Sequence, residues 1–251
     1  LAAFLLWPAS QANAGERIRI ASEGYYPPFN VLDENGKLFG FDIDVGVALC
    51  EKMAVECEFV QQDWDNLIPG LVEGKYDVIL ASMSITEERS KLVSFTIPYY
   101  SNMLTFIGRK NSGLSISEDA LKGKSIGTQN GTVAAEYLKE HYGTIANIKL
   151  LETQEVALND LAAGKLDLVM GDNLPSYAWL QTEAGKNSEF VGEFIDIDDR
   201  IGLAVRKDDN DLREKLNQAL IAILDDGTYQ AINDKYFPFS IYFCTRLGRH
   251  A

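Results

Sequence analysis

Histidine is almost absent from this chain of 251 residues: there are two, and His250 stands next to the C-terminus. A His-based metal cluster or a Ser/His/Asp relay would have to rest on His141 alone, which disfavours most familiar hydrolase chemistry. Positive charge is also scarce, with 23 Lys and Arg against 37 Asp and Glu and a formal net charge of −14. Such a field repels phosphate backbones, so a general nucleic-acid binder is excluded. No interior stretch approaches the ~18 continuous apolar residues of a spanning helix. The chain has no Gly-x-Gly-x-x-Gly after a strand, no Walker-type Gly-Lys-Ser/Thr, no Gly-x-Ser-x-Gly elbow and no clustered Cys/His spacing. Gly70-Leu71-Val72-Glu73-Gly74-Lys75 looks superficially like a phosphate loop, but its spacing is wrong and it closes a helix. No cofactor and no metal is expected.

What is present is the composition of an ordinary globule, 46% apolar and 24% charged, long enough for one large domain or two small ones. Residues 1–7 form a short apolar run before Pro8 and Ala12-Asn13-Ala14, which fits a secretory signal remnant over 1–14. Export implies an oxidising compartment. Cys50 and Cys57 flank the end of an expected helix (45–53) and the start of an expected strand (56–62), where a chain reversal can bring them within bridging reach. A disulfide is therefore favoured over two buried thiols. Cys244 is left without a partner near the basic end Arg246-Leu247-Gly248-Arg249-His250, and 241–251 reads as a tail.

The chain repeats itself once. Leu71-Val72-Glu73-Gly74-Lys75-Tyr76-Asp77-Val78-Ile79-Leu80 recurs 90 positions later as Leu161-Ala162-Ala163-Gly164-Lys165-Leu166-Asp167-Leu168-Val169-Met170. Each copy reads as helix, glycine stop and buried strand. Upstream of each lies a short strand, at 17–21 and 123–127, followed by a polar loop and a helix. The spacing predicts two α/β lobes of similar plan.

In an open α/β sheet, ligands gather beyond the carboxyl ends of the strands. There the first lobe offers Glu23, Tyr26, Trp64, Ala81, Ser82, Met83 and Ser84, and the second offers Gln129, Thr132 and Asp172. Two facing rims would enclose a cleft. Thr86 suits the N-cap of a helix whose third position is Arg89, where a cation opposes the helix dipole. Something anionic should compensate it. Arg89 either pairs on the surface with Glu87, Glu88 or Asp65, or clamps a ligand carboxylate with help from the Ser84 and Thr132 amides. Asp172 and Glu23 suit ammonium or guanidinium groups. Tyr26 and Trp64 either sandwich a side chain or pack a core beside a loop.

Gly40-Phe41-Asp42-Ile43-Asp44, Trp64-Asp65-Asn66-Leu67-Ile68-Pro69-Gly70-Leu71, Ser82-Met83-Ser84-Ile85-Thr86-Glu87-Glu88-Arg89, Leu121-Lys122-Gly123-Lys124 and Asp226-Gly227-Thr228-Tyr229 resemble the periplasmic polar-amino-acid-binding proteins of ABC importers. Within that family the spacing of Cys50 and Cys57 resembles the lysine/arginine/ornithine- and histidine-binding branch. The resemblance spans about residues 18–237. It implies an α/β, two-lobe (type II) fold with two hinge strands, near 99–105 and 196–201, and the ligand in the interlobe cleft. Lobe 1 would comprise 15–100 and 201–240, with final helices in 212–224 and 229–236, and lobe 2 would comprise 101–200 with the hinge strands. By the same resemblance Arg89 holds the α-carboxylate, Asp172 with Ser82 holds the α-ammonium, Tyr26 and Trp64 line the slot, and Glu23 stands near its distal end. The expected ligand is a basic L-amino acid, and the expected partner is the membrane permease of the importer, served by a monomer in the periplasm.

The branch commonly has Asp at the place of Glu23, Phe at Trp64, Ser at Ala81, Leu at Gln129 and Gln at Ala134, so slot length and polarity differ here. Glu23 with Trp64 also resembles binders of arginine-derived opines, and glutamine binders carry an acid at this place too. A cyclohexadienyl dehydratase resembles the same fold, which keeps an enzyme as the rival reading.

Overall fold

The computed structural model describes residues 17–242. The expected signal remnant, Cys244 and the basic end lie outside the described residues. In chain order the elements are β1 (Arg17–Ser22), β2 (Tyr25–Tyr26), β3 (Asn30–Leu32), β4 (Leu38–Phe39), α1 (Phe41–Met53), β5 (Glu56–Gln61), α2 (Leu67–Val72), β6 (Val78–Ile79), α3 (Glu87–Leu92) and β7 (Val93–Phe95). There follow β8 (Tyr100–Arg109), α4 (Glu118–Leu121), β9 (Ser125–Gln129), α5 (Val133–Tyr142), β10 (Asn147–Leu151), α6 (Gln154–Ala162), β11 (Leu168–Asp172), α7 (Asn173–Leu180) and β12 (Ser188–Ile201). The chain closes with β13 (Ala204–Arg206), α8 (Asn210–Asp225) and α9 (Thr228–Tyr236).

Two five-stranded sheets result, ordered β5-β1-β6-β13-β7 in lobe 1 and β10-β9-β11-β8-β12 in lobe 2. The repeat noted in the sequence is a repeat of structure. Lys75 N–H donates to Gly70 O and Gly74 N–H to Leu71 O, while Lys165 N–H donates to Asp160 O and Gly164 N–H to Leu161 O. These are paired Schellman closures, and they need the left-handed backbone that Gly74 and Gly164 both supply at φ 76°. Each following aspartate then ties its strand to the first strand of its lobe. Asp77 accepts from the Arg19 backbone N–H and guanidinium, and Asp167 accepts from the Ser125 N–H and hydroxyl.

β8 and β12 are long, pair antiparallel, and carry the chain between lobes through the register Ser101↔Arg200 and Asn102↔Asp199. Beyond β12 the chain re-enters the first sheet through β13, which pairs with β6 and β7. Helices α8 and α9 then cover α1 around a buried cluster that includes Phe41, Leu49, Leu216, Leu220, Tyr229 and Phe237.

Helix α1 starts at Phe41, four residues before the expected 45–53 span. Asp42 and Asp44 lie before the expected span, yet both belong to the first turn, where acidic groups complement the helix dipole. The first strand of lobe 2 begins at Ser125, because Gly123 is left-handed and donates its N–H to Ile145 O. The Cys50–Cys57 disulfide is formed, with Cα atoms 6.2 Å apart, and joins the end of α1 to β5. His141 stacks on the Tyr137 ring on an exposed face of α5.

Candidate functional site

The lobes meet over a cavity walled by Glu23, Tyr26, Trp64, Ala81, Ser82, Ser84 and Arg89 from lobe 1 and by Gln129, Thr132, Val133 and Asp172 from lobe 2. Of the residues singled out from the sequence, Met83 alone turns elsewhere. The Met83 side chain enters the apolar cluster of Leu67, Leu71, Tyr76 and Ile79. Val133 was not anticipated, because an apolar residue at the start of a helix carries no sequence signal of a wall.

Arg89 is placed by a short helix and two carbonyls. Thr86 caps α3 by accepting the Arg89 N–H at 3.2 Å, as its side chain predicts. The guanidinium then turns into the cleft, donating to Ser84 O and to Gly131 O of the opposite lobe at 2.9 Å each, and lies 5.2 Å from the centre of the Trp64 ring. Burial pulls its pKa down, while Asp199, Glu136 and Asp172 oppose that shift.

Ser84 faces Ile201 of the second hinge strand in an isolated bridge, flanked by Ile85 N–H donating to Arg200 O and Gly202 N–H to Met83 O. In this pattern the N–H and C=O of Ser84 itself point away from that strand, and its carbonyl meets Arg89. Across the cleft Thr132 caps α5, accepting the Ala135 N–H and donating its hydroxyl to Gln129 O. The amino end of a ten-residue helix thus stands at the wall, with its partial positive charge toward the cavity.

The acidic groups stand at separate places. Asp172 ends β11 and receives the Tyr26 hydroxyl from lobe 1. Its burial lifts the pKa to about 6, against the hydrogen bond from Tyr26, the nearby Asn102 amide and the charge of Arg89. Glu23, 2% exposed, accepts Gln129 Nε2 at 2.6 Å and is pushed up to about 7 by burial, with Asp63 and Asp65 adding to the effect. Trp64 Nε1 donates to Gly131 O at 3.2 Å, so the ring that packs on the core of lobe 1 also touches lobe 2.

Behind this wall lies a residue quoted only as part of a motif. Asp42, fully buried, accepts from Asn30 Nδ2, Ser82 Oγ and the Tyr99 hydroxyl, while Asn30 Oδ1 accepts the Gly24 N–H. One carboxylate therefore fixes the loop of Glu23, the turn at Ser82 and the entry to the first hinge strand. The Ser82 hydroxyl is committed to Asp42, leaving its oxygen to accept, and burial raises the Asp42 pKa to about 6.

Two α/β bodies closing on a charged interlobe cavity define the class of protein as a solute receptor of the two-lobe type. The chain belongs to the bacterial extracellular solute-binding proteins, family 3, whose family model matches residues 18–239. It is 40% identical over 240 residues to ABC transporter arginine-binding protein 1 of Escherichia coli, covering 95% of this chain and 98% of that protein. It is likewise 40% identical over 236 residues to the L-arginine-binding protein of Pseudomonas aeruginosa, with 91% of each covered. An ancestral arginine-binding protein bound to arginine superposes with a TM-score of 0.82 at 37% identity, over 88% of this chain and 98% of that one. Among the described residues no helix is long and apolar enough to cross a membrane.

Proposed function

We propose that this chain is the periplasmic receptor of an amino-acid ABC importer and closes, as a monomer, on one basic L-amino acid: arginine, lysine, ornithine or histidine. The observation that carries the reading is the division of charge across one cavity, Arg89 on lobe 1 and Asp172 on lobe 2, with Glu23 at a separate place in its wall. In this reading Arg89 holds the α-carboxylate, assisted by the Ser84 and Thr132 amides and the amino end of α5. Asp172 accepts the α-ammonium. Tyr26 and Trp64 enclose the side chain, and Glu23 takes its distal cation, with Gln129 yielding the hydrogen bond it now makes. Residues 15–100 with 201–240 form one moving body and 101–200 the other.

Closure follows from linkage, because a ligand shifts an open–closed equilibrium only through contacts it makes in the closed form. A membrane permease that docks on the closed form then senses occupancy. Micromolar affinity needs about −8 kcal/mol, within reach of a charge-assisted pair at each end with aromatic burial.

Glutamine is the second reading. A carboxyl pushed up to about 7 is partly protonated at neutrality and can serve a neutral amide as donor or acceptor. Thermal-shift measurements against the twenty amino acids, ornithine, octopine and nopaline decide among these, since a ligand raises the melting temperature according to its saturation. A basic amino acid is expected to give the largest rise. Flat melting across the panel defeats the receptor reading, and aromatic product formed from arogenate or prephenate would turn it into an enzyme.

A further inference from the structure

We propose that Asp199, on the second hinge strand, is a second carboxylate of the ammonium end of the cleft, so that the ligand's α-ammonium lies between Asp172 and Asp199. The inference rests on the receptor reading above. Strand β8 is flanked on one side by β11 and on the other by β12, with Asp172 opposite Leu104 and Asp199 opposite Asn102. Residues opposite one another share a face of the sheet, and so do residues two apart on one strand. Asp172, Asn102 and Asp199 therefore project from the same face, on which Asp172 reaches the cavity wall while Asn102 and Asp199 stand behind the residues that line it.

The hydrogen-bonding state of this face points to a donor. Asp199 is 6% exposed and its Oδ2 has no hydrogen-bond partner; Asn102 is 2% exposed and both polar atoms of its side chain lack partners within bonding geometry. Buried polar atoms left in this way are costly and rare in folded proteins. The groups facing Asp199 are Asp172 from β11, the Ser84 hydroxyl, Arg89 from α3, Asp198 on its own strand and Tyr100 on β8. Arg89 is the cation among them, and it already donates to Ser84 O and Gly131 O. An ammonium brings three N–H donors and a positive charge. Asp172 can engage one or two of these donors, and Asp199 with Asn102 Oδ1 supplies acceptors for the remainder. Burial and the neighbouring charge of Asp172 push the Asp199 carboxyl up to about 7, so the site by itself disfavours its charge and a cation placed beside it would restore ionisation.

The test compares two ligands on three proteins. The parent, Asp199→Asn and Asp199→Ala are titrated calorimetrically with L-arginine and, by displacement, with the analogue carrying a hydroxyl in place of the α-ammonium. Both variants are expected to lose about tenfold or more in affinity for arginine, yet to change within about twofold for the hydroxy acid. The Asp199→Asn protein should melt no lower than the parent, since it removes a buried charge without removing volume. Equal loss for both ligands, or no loss for either, overturns the role of Asp199 and leaves the receptor reading standing. If the parent binds no amino acid of the panel, the receptor reading fails first and takes this inference with it.

Discussion

Lobes 1 and 2 are built by one plan and furnished differently. Each has a helix closed by a Schellman glycine, a strand after it, and an aspartate anchoring the first strand of its sheet. Even the anchors diverge in partners: Asp77 gathers the guanidinium groups of Arg19 and Arg206, whereas Asp167 relies on the Ser125 backbone and hydroxyl. At the cleft the divergence is complete. Lobe 1 contributes a guanidinium, two aromatic rings and a buried glutamate; lobe 2 contributes an aspartate, an amide and a helix amino end. A zwitterion presents opposite charges at its two ends, and a receptor that closes on one gains most when each lobe meets a different end. The common scaffold makes the lobes, and their unlike rims make closure depend on the ligand.

The largest expected effect tests that division directly. Arg89→Ala should weaken amino-acid binding by at least about 2 kcal/mol in calorimetric titration, since a carboxylate desolvated in the cleft loses its charged partner. Asp172→Asn should produce a comparable loss from the other side. Parent-like affinity in either variant breaks the comparison at its centre. The shared plan is tested next by Gly74→Ala and Gly164→Ala. Each glycine has φ 76°, and a methyl group added at either would meet no heavy atom within 4 Å, so backbone strain alone acts. Each substitution should cost about 1–2 kcal/mol in urea unfolding, and the double variant should show the sum. A cost in one lobe only would show that the two closures are not equivalent.

Smaller effects sharpen the assignment of Glu23. Glu23→Gln should lower affinity for arginine relative to glutamine by about tenfold, which competition titration would read. The pH dependence is expected to be smallest. With Glu23 at about 7 when folded and near the ordinary carboxylate value when unfolded, the folded state holds a proton that the unfolded chain has released. That contribution is fully present below the unfolded value of about 4 and disappears as pH rises through about 7. Ligand-free protein should therefore melt a few degrees higher at pH 5 than at pH 8, and Glu23→Gln should reduce the difference without abolishing it, since Asp42, Asp172 and Asp199 are raised by burial as well. A basic ligand, which favours the ionised carboxylate, should bind more tightly at pH 8.

Much of the fold was legible because its signals are local. The repeat, the cap at Thr86, the glycine stops and the Cys50–Cys57 pair each concern residues within a few positions of one another, and backbone hydrogen bonding enforces them wherever they occur. The conflict at Arg89 was legible for the same reason, since a cation at the third position of a capped helix asks for an anion, but the local pattern left open whether that anion was a surface neighbour or a ligand. Asp42 was obscured because a carboxylate in the first turn of a helix reads as an exposed dipole partner, whereas here it is enclosed by Asn30, Ser82 and Tyr99 from three other segments. The direction of Met83 and the wall position of Val133 depend on how the loop after β6 and the start of α5 pack against the rest of the molecule.

The sequence by itself determined that there would be two α/β lobes, where their helices stop, and which charged and aromatic residues stand on the rims, because propensity, capping and hydrophobic periodicity act over a few residues. Only the tertiary structure decided that Gln129 reaches Glu23, that Arg89 touches Gly131 across the cleft, and that Asp199 stands beside Asn102 on the hinge. Those meetings join residues tens to a hundred positions apart, and sheet register and lobe closure, which no local pattern encodes, select them.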